Sequence, residues 1–408
     1  MCRTYNGWDI NWAPAWKEAL EKVAKDGKLD RTVLRSGRQK DGRGNISPVT
    51  IILPTLAAEV KLAQLQKLSK DAVLQEADVV FKKQNGRHLT KEEISELEKH
   101  LNDRNSHCSF NQANILNEVV DKLADKDLRV DAFMKLLDRK IDEAIQMLVE
   151  RFDYQCSQSS KSAKFMYENN TMYGYVPEEG IRSALKHGTI VVGQLGLAET
   201  LVLLIGKDHT TDEGMELAKK IESFFNKKIK NAKETMKMNI GVYLTPAENL
   251  AYTALKKFQD LYGKIDNVSD REFFTNSMHV PVWDKVDPFE KIDIESQLTG
   301  YSNAGCITYT EMDADAQKNT EALEKLVLYA MDKDLPYFAV NVPADSCQVC
   351  GYQGLIDGNC PQCGSDKIER LRRVTGYLTG DYKTAFNKGK QDEVEHRVKH
   401  NGIDIDKK

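Results

Sequence analysis

Four cysteines near the C-terminal end of the chain have the spacing of a metal site. Cys347 and Cys350 form one Cys-x-x-Cys pair, and Cys360 and Cys363 form a second pair after nine intervening residues. Two such pairs can present four thiolates tetrahedrally to one Zn²⁺ ion, and a closed four-cysteine site is structural because no position stays open for a substrate. Four unrelated thiols, or a redox dithiol, are the alternatives. The doubled spacing favours structural zinc.

The segment that follows resembles the radical loop of a known enzyme family. Residues 373–378 read Arg-Val-Thr-Gly-Tyr-Leu, which directly after a four-cysteine module is similar to the glycyl-radical loop of the anaerobic (class III) ribonucleoside-triphosphate reductases. The resemblance implies that Gly376 carries a Cα radical. Glycine suits this role because its flanking amides delocalise the spin and no side chain blocks close approach in a buried loop. An ordinary turn glycine is the alternative.

Two N-terminal segments resemble the same family. Residues 1–7 contain Cys-Arg-Thr, similar to the finger loop whose cysteine becomes the thiyl radical, so the resemblance implies this role for Cys2. A cysteine without a role is the alternative, because thiol reactivity depends on the surroundings. Residues 42–45 read Gly-Arg-Gly-Asn before an apolar β-branched run, and the resemblance places Asn45 beside the radical cysteine. Asn45 as a turn residue before a strand is the competing interpretation.

The segment at residues 245–248 combines a helix start with a possible anion site. It reads Thr-Pro-Ala-Glu after a strand predicted at residues 240–244, with Thr as N-cap, Pro at the first helical position and Glu at the third. Free backbone N–H groups and the helix dipole make such an end a site for anions. The resemblance implies that substrate phosphates contact Thr245 and Ala247. Helix capping alone is the other explanation.

A polar segment at residues 275–281 resembles a part of the family that lines the substrate cavity. It reads Thr-Asn-Ser-Met-His-Val-Pro. The resemblance implies that Ser277 and His279 contact substrate. A histidine with a structural hydrogen bond is the more common case.

The whole composition predicts a soluble cytoplasmic protein. The chain has 408 residues, is 41% hydrophobic and carries a net charge of −4, which gives no electrostatic case for nucleic-acid binding. Four of its eight cysteines lie in one metal-type cluster, which indicates a reducing compartment rather than a disulfide framework. No apolar run has the length of a membrane span, and no signal peptide is recognisable.

The elements that must position these residues alternate between strands and helices after residue 188. Helices are predicted at 197–205, 211–237 and 316–331, with strands at 189–192, 240–244 and 337–341. This alternation predicts a parallel α/β fold. Helical patterns fill most of residues 56–187, including a Thr90–Glu93 capping box.

The resemblance implies the C-terminal portion of a ten-stranded α/β barrel, with a zinc ribbon and a glycyl-radical loop. It covers residues 1–7 and 41–408, with 8–40 as an insertion. The expected organisation is a barrel portion at 1–342, with a finger loop (1–48), a helical region (56–187) and strand–helix units (188–342). A zinc module at 343–368 and a radical loop with its tail at 369–408 complete it.

The resemblance also implies the chemistry. A radical S-adenosylmethionine activating enzyme would form the radical on Gly376, and Cys2 would then abstract the 3′-hydrogen of a ribonucleoside triphosphate. Formate would be the reductant in the anaerobic reaction. We expect the chain to require an N-terminal reductase fragment and to form a homodimer once complemented, with no nucleic-acid or membrane partner.

Two other classes of function compete with this interpretation. A different glycyl-radical lyase would share the glycine and cysteine loops, but those families lack the zinc ribbon. An inactive remnant or a zinc-ribbon interaction protein is the second alternative. The ribbon has one aromatic residue, Tyr352, and no Lys or Arg between Cys350 and Cys360, which argues against nucleic-acid binding.

Overall fold

Short parallel strands alternate with helices through most of the chain. The structure, a computed structural model, describes residues 9–12, 44–102, 110–169, 171–172, 174–312 and 319–398. The strands are β1 (Asn45–Ile52), β2 (Thr189–Leu195), β3 (Ile240–Tyr243), β4 (Thr308–Glu311), β5 (Phe338–Asn341), β6 (Ala344–Cys347), β7 (Gln353–Gly354), β8 (Ile368–Val374) and β9 (Tyr377–Thr379). The helices are α1 (Leu53–Leu65), α2 (Lys70–Asn85), α3 (Lys91–Asn102), α4 (Phe110–Leu123), α5 (Lys126–Cys156), α6 (Lys164–Glu168), α7 (Arg182–Leu185), α8 (Leu197–Ile205), α9 (Asp212–Met236), α10 (Asn249–Tyr262), α11 (Pro288–Thr299), α12 (Thr320–Asp332), α13 (Tyr382–Ala385) and α14 (Lys388–His396).

Strands β1, β2 and β3 form a parallel sheet in that order. Every residue of β2 is buried, as expected for a central strand between two parallel neighbours. The predicted strands at 189–192 and 240–244 are confirmed. Strand β1 ends at Ile52 because Pro54, with its fixed φ, lies in the first turn of α1.

Strands β4 and β5 form a second parallel pair, joined through α12. The strand predicted at 337–341 and the helix predicted at 316–331 are both present, although residues 313–318 lie outside the described part. Helix α9 begins after Thr211, whose hydroxyl accepts a hydrogen bond from Gly214 N. This cap agrees with the helix start expected from the sequence.

Apolar cores stabilise the helical and mixed regions. The largest core of the described residues packs the first sheet against α1, α5, α8, α9 and α10. A smaller core joins α2, α3 and α4 through residues such as Val80, Leu97 and Val119. The capping box is confirmed, because Thr90 N donates to Glu93 Oε2 and Glu93 N donates to Thr90 Oγ1.

The C-terminal region is an antiparallel sheet with the order β7-β6-β8-β9. Strands β6 and β7 belong to the cysteine module, whereas β8 and β9 carry the glycine segment. The boundary predicted between residues 368 and 369 therefore falls inside one sheet. Helix α14 then packs against α10 and β8.

The mixed α/β class with parallel strand pairing is confirmed, while the ten-stranded barrel remains a prediction. Among the described helices, none combines the length and the apolar character needed to cross a membrane.

Candidate active site and metal site

The four cysteines converge as their spacing predicts. All four Sγ atoms lie within 4.8 Å of one another. Cys347 Sγ is 3.6 Å from Cys363 Sγ, and Cys350 Sγ is 3.5 Å from Cys360 Sγ. Zinc–sulfur bonds of about 2.3 Å in a tetrahedron separate the sulfurs by roughly 3.8 Å. The four thiols therefore fit one zinc ion.

Backbone turns hold the cysteine pairs. Gly351 N donates to Cys347 O at 2.9 Å and Gly364 N donates to Cys360 O at 2.8 Å. Both glycines have left-handed φ values, +76° and +75°, which other residues adopt at a cost. The N–H groups of Cys350 and Val349 lower the pKa of Cys347 to about 6, which favours the thiolate that a metal requires.

A buried ion pair joins the cysteine module to the glycine strand. Asp345, 2% exposed, lies two residues before Cys347 on β6. Its carboxylate accepts from Ile356 N at 3.0 Å and from both Nη atoms of Arg372 on β8. Because β6 also pairs with β8, the metal site and the glycine strand form one unit.

Gly376 lies in a two-residue turn between β8 and β9, where Val374 pairs with Tyr377. Thr375, not Gly376, takes the left-handed conformation, with a φ of +51°. This is unfavourable for a β-branched residue, so the surroundings must hold it. Thr375 O accepts hydrogen bonds from Tyr309 Oη and Arg373 Nε, both at 3.1 Å.

A carboxylate lies directly beside Gly376. A Cβ atom at Gly376 would stand 3.1 Å from Glu248 Oε1, tighter than an ordinary contact. The charge of Glu248 also raises the pKa of Tyr377. Gly376 is exposed in the described part of the chain, whereas the resemblance implied a buried loop. The sequence pattern at residues 245–248 predicted a helix cap, so it gave no signal that Glu248 lies beside the glycine.

The helix start predicted at Thr245 is wrong. Helix α10 begins at Asn249, and both Ala247 and Glu248 have positive φ values, +47° and +51°. Thr245 Oγ1 accepts from Ala247 N at 3.2 Å, which forms a tight turn instead of a helical one. The turn redirects the chain so that Glu248 reaches Gly376. Contact of phosphate with Thr245 and Ala247 therefore loses its helix-dipole argument and remains a prediction from the family resemblance.

A polar cleft with an empty volume of about 470 Å³ adjoins the glycine turn. His279, Asn276, Tyr309 and Thr375 are among its lining residues. In the described part of the chain, no hydrogen-bond partner is found for Asn276 Oδ1, Ser277 Oγ, His279 Nε2 or Thr375 Oγ1, although all are buried. Buried polar atoms of native proteins are rarely unpaired, so these groups are suited to a polar ligand or to water.

His279 is oriented by a buried carboxylate. Its Nδ1 is 3.2 Å from Glu295 Oε2, and Glu295 Oε1 accepts from Val280 N at 3.1 Å. Burial disfavours the Glu295 carboxylate, but the charges of His279 and Lys291 outweigh it and lower the pKa of Glu295 to about 2. Because Nδ1 is paired with Glu295, Nε2 is the ring nitrogen that remains for a ligand in the cleft.

The C-terminal tail secures the other side of the turn. Arg397 Nη1 donates to Arg373 O at 2.7 Å, and Arg397 Nη2 donates to Glu393 Oε1 at 2.8 Å. Its Nε lies 3.4 Å from Glu311 Oε1 at the end of β4. The guanidinium thus connects β4, β8 and α14. A lone arginine near a chain end gave no sequence signal for this role.

The remaining predicted residues are only partly placed. Asn45 is the first residue of β1, and its Nδ2 donates to Ala304 O at 3.0 Å. Asn45 therefore belongs to the half-buried strand and is not a turn residue before it, while its proximity to the radical cysteine stays a prediction. Cys2 lies outside the described residues.

These features define an α/β protein in which a four-cysteine cluster, suited to a metal ion, is joined by β-pairing to the strand that precedes a glycine turn. The sequence model of the family described as anaerobic ribonucleoside-triphosphate reductase matches residues 2–400. The chain belongs to that family.

Relatives and solved structures agree with this assignment. The anaerobic ribonucleoside-triphosphate reductase of Haemophilus influenzae is 30% identical over 307 residues, which cover 72% of this chain and 43% of the relative. That of Escherichia coli is 32% identical over 283 residues, covering 66% and 40%. A solved anaerobic ribonucleotide reductase matches with a TM-score of 0.53 at 16% identity, covering 90% of this chain and 46% of that one, which supports the fold. The chain spans less than half the length of these relatives.

Proposed function

We propose that this chain supplies the radical-bearing portion of an enzyme that reduces ribonucleoside triphosphates to 2′-deoxyribonucleoside triphosphates under anaerobic conditions. Gly376 stores the radical and Cys2 forms the thiyl radical that takes the 3′-hydrogen of the ribose. The observation that carries the proposal is the glycine turn itself, held by Tyr309 and joined by β-pairing to a four-thiolate site. Family membership supports the same reaction.

The substrate is proposed to lie against the polar cleft and the turn before α10. His279 lines the cleft, and Ser277, two residues earlier, has a buried hydroxyl without a partner among the described residues. Both are proposed to contact the substrate, and Thr245 and Ala247 are the proposed phosphate contacts. Asn45 is assigned a hydrogen bond near the reacting ribose. Glu248 stands beside Gly376, where its carboxylate can accept a hydrogen bond from a ribose hydroxyl.

Zinc is proposed to have a structural role. Its ligands would be Cys347, Cys350, Cys360 and Cys363. The Asp345–Arg372 ion pair would then connect the cysteine module to β8 and restrict the movement of that strand. The ion itself neither binds substrate nor reacts, since four thiolates complete its coordination.

The proposed partners follow from family membership and the chain's length. A radical S-adenosylmethionine activating enzyme removes a hydrogen atom from Gly376, and formate reduces the oxidised intermediate. An N-terminal reductase fragment completes the ten-stranded barrel, and the complemented protein forms a homodimer. We propose a cytoplasmic location, as expected for such an enzyme.

Electron paramagnetic resonance tests the proposal. The chain is incubated anaerobically with a matching activating enzyme, S-adenosylmethionine and reductant, with and without the N-terminal fragment. We expect a doublet from a glycyl radical that is absent in Gly376→Ala. Gly300→Ala is the glycine control, because an added Cβ meets no atom within 4 Å there, and this variant should retain the doublet. A folded, zinc-loaded chain that gives no doublet in either sample contradicts the proposal.

A further inference from the structure

A second cavity lies far along the chain from the glycine turn, between the helical module and the main core. It is an open cleft whose empty volume, with its open side included, is about 600 Å³. Its walls are mostly aliphatic: Ala58, Leu62, Leu65, Ala113, Leu116, Val120, Leu203, Leu261 and Ile265. Lys61 on α1 also lines it, so a cation opens onto an otherwise apolar space.

The cation is deeply buried and its charge is incompletely matched. Lys61 is 4% exposed, and its Nζ lies 2.8 Å from Asp121 Oδ1. Within the described ranges, no further acceptor is found for Nζ. An ammonium group has three N–H donors, so Asp121 satisfies only part of its hydrogen-bonding capacity.

Asp121 is shared with a second buried cation. Arg129 Nη1 lies 2.6 Å from the same carboxylate oxygen, and the side chain of Arg129 is fully buried. The charge of Lys126 also acts on Lys61. Burial, with these positive neighbours, lowers the pKa of Lys61 to about 8 against the opposing effect of Asp121. Two buried cations therefore share one carboxylate, and an additional anion would balance the charge.

We propose that this cavity binds a small monocarboxylate with an aliphatic body, whose carboxylate pairs with Lys61. Burial of a hydrocarbon chain against the apolar walls favours binding by roughly 0.8 kcal/mol for each CH₂ group. The carboxylate supplies the acceptor that the ammonium lacks, and charge-assisted hydrogen bonds are the stronger kind. The site is separate from the radical chemistry and does not depend on it.

Calorimetric titration of the full chain with octanoate tests the proposal. We expect saturable binding at one site per chain in the millimolar range or tighter. Lys61→Met should weaken binding at least about tenfold, because it retains the shape of the wall but removes the cation. The fold should survive, since Asp121 keeps its contact with Arg129. Lys67→Met, an exposed lysine on the turn after α1, is the matched control and should bind as the unmodified chain does.

Two further measurements separate the cavity from non-specific adsorption. Ala113→Leu fills the apolar wall and should abolish octanoate binding, and 1-octanol, which has the same chain without the charge, should bind at least about tenfold more weakly. Absence of saturable octanoate binding to the folded chain overturns the proposal. So does equal binding of the alcohol, or binding that neither Lys61→Met nor Ala113→Leu reduces.

Discussion

The hydroxyl of Tyr309 donates a 3.1 Å hydrogen bond to the carbonyl oxygen of Thr375, the residue that precedes Gly376. The bond joins β4 of the second parallel pair to the turn of the C-terminal hairpin. Because Thr375 has a positive φ, this contact helps to hold a conformation that a β-branched residue avoids. The glycine is thus positioned by constraints on its neighbour.

Tyr309→Phe should loosen the glycine turn. The substitution removes one of the two donors to Thr375 O, and we expect a loss of about 1 kcal/mol in the free energy of unfolding. Hydrogen exchange of the amides from 374 to 377 should accelerate. Tyr329→Phe removes a hydroxyl that donates to Asp293 on another face and serves as the control. Unchanged exchange in the turn of Tyr309→Phe would contradict the constraint.

Cys363→Ser should release zinc and loosen β8. The unmodified chain should contain about one zinc ion, measured by atomic emission, and the variant close to none. Exchange of the β6 and β8 amides should rise, because the Asp345–Arg372 pair connects these strands. Cys156→Ser, outside the cluster, should keep the metal. Full zinc content in Cys363→Ser would exclude a four-thiolate site.

Arg397→Gln should destabilise the C-terminal region strongly. It leaves Glu311 and Glu393, whose side chains are 10% and 7% exposed, without their shared cation. Removing one partner of a buried pair costs about 3–5 kcal/mol. Lys325→Met breaks an exposed pair with Glu321 and should cost about 0.5 kcal/mol or less. Denaturant titrations of both variants measure the free energy of unfolding. Equal losses of stability in the two variants would show that Arg397 does not stabilise the C-terminal region.

Glu222→Gln should stabilise the chain in a pH-dependent manner. Burial raises the pKa of Glu222 to about 7, so in the folded state the carboxyl stays protonated above the pH at which it ionises in the unfolded chain. The preference of the folded state for the protonated carboxyl contributes to the free energy of unfolding. This contribution is complete below about pH 4.5 and is lost as the pH rises to about 7. The glutamine variant avoids this loss.

Thermal unfolding at two pH values measures the effect. The stabilisation by Glu222→Gln should be about 3 kcal/mol at pH 8 and close to zero at about pH 4. The variant amide oxygen can still accept from Gln194 Nε2, which now donates to Glu222 Oε1 at 2.7 Å. Glu216→Gln, exposed on the same helix, should change stability little at either pH. A pH-independent gain would point to packing as the cause.

Local features were predictable because their causes are local. The limits of α8 and α9 follow from apolar periodicity and from the capping hydroxyl of Thr211. The prediction failed at residues 245–248, where Thr-Pro-Ala-Glu has every residue of a helix start. There the chain forms a tight turn with Ala247 and Glu248 at positive φ, and the helix begins only at Asn249.

The sequence by itself determined the family, the parallel α/β class and the four cysteines that converge, because spacing and periodicity are properties of neighbouring residues. Only the tertiary structure decided which distant groups surround the glycine. Tyr309 and Thr375 are 66 residues apart, and Arg397 reaches both β4 and β8. These contacts depend on how strands and helices pack in three dimensions, which sequence patterns do not specify.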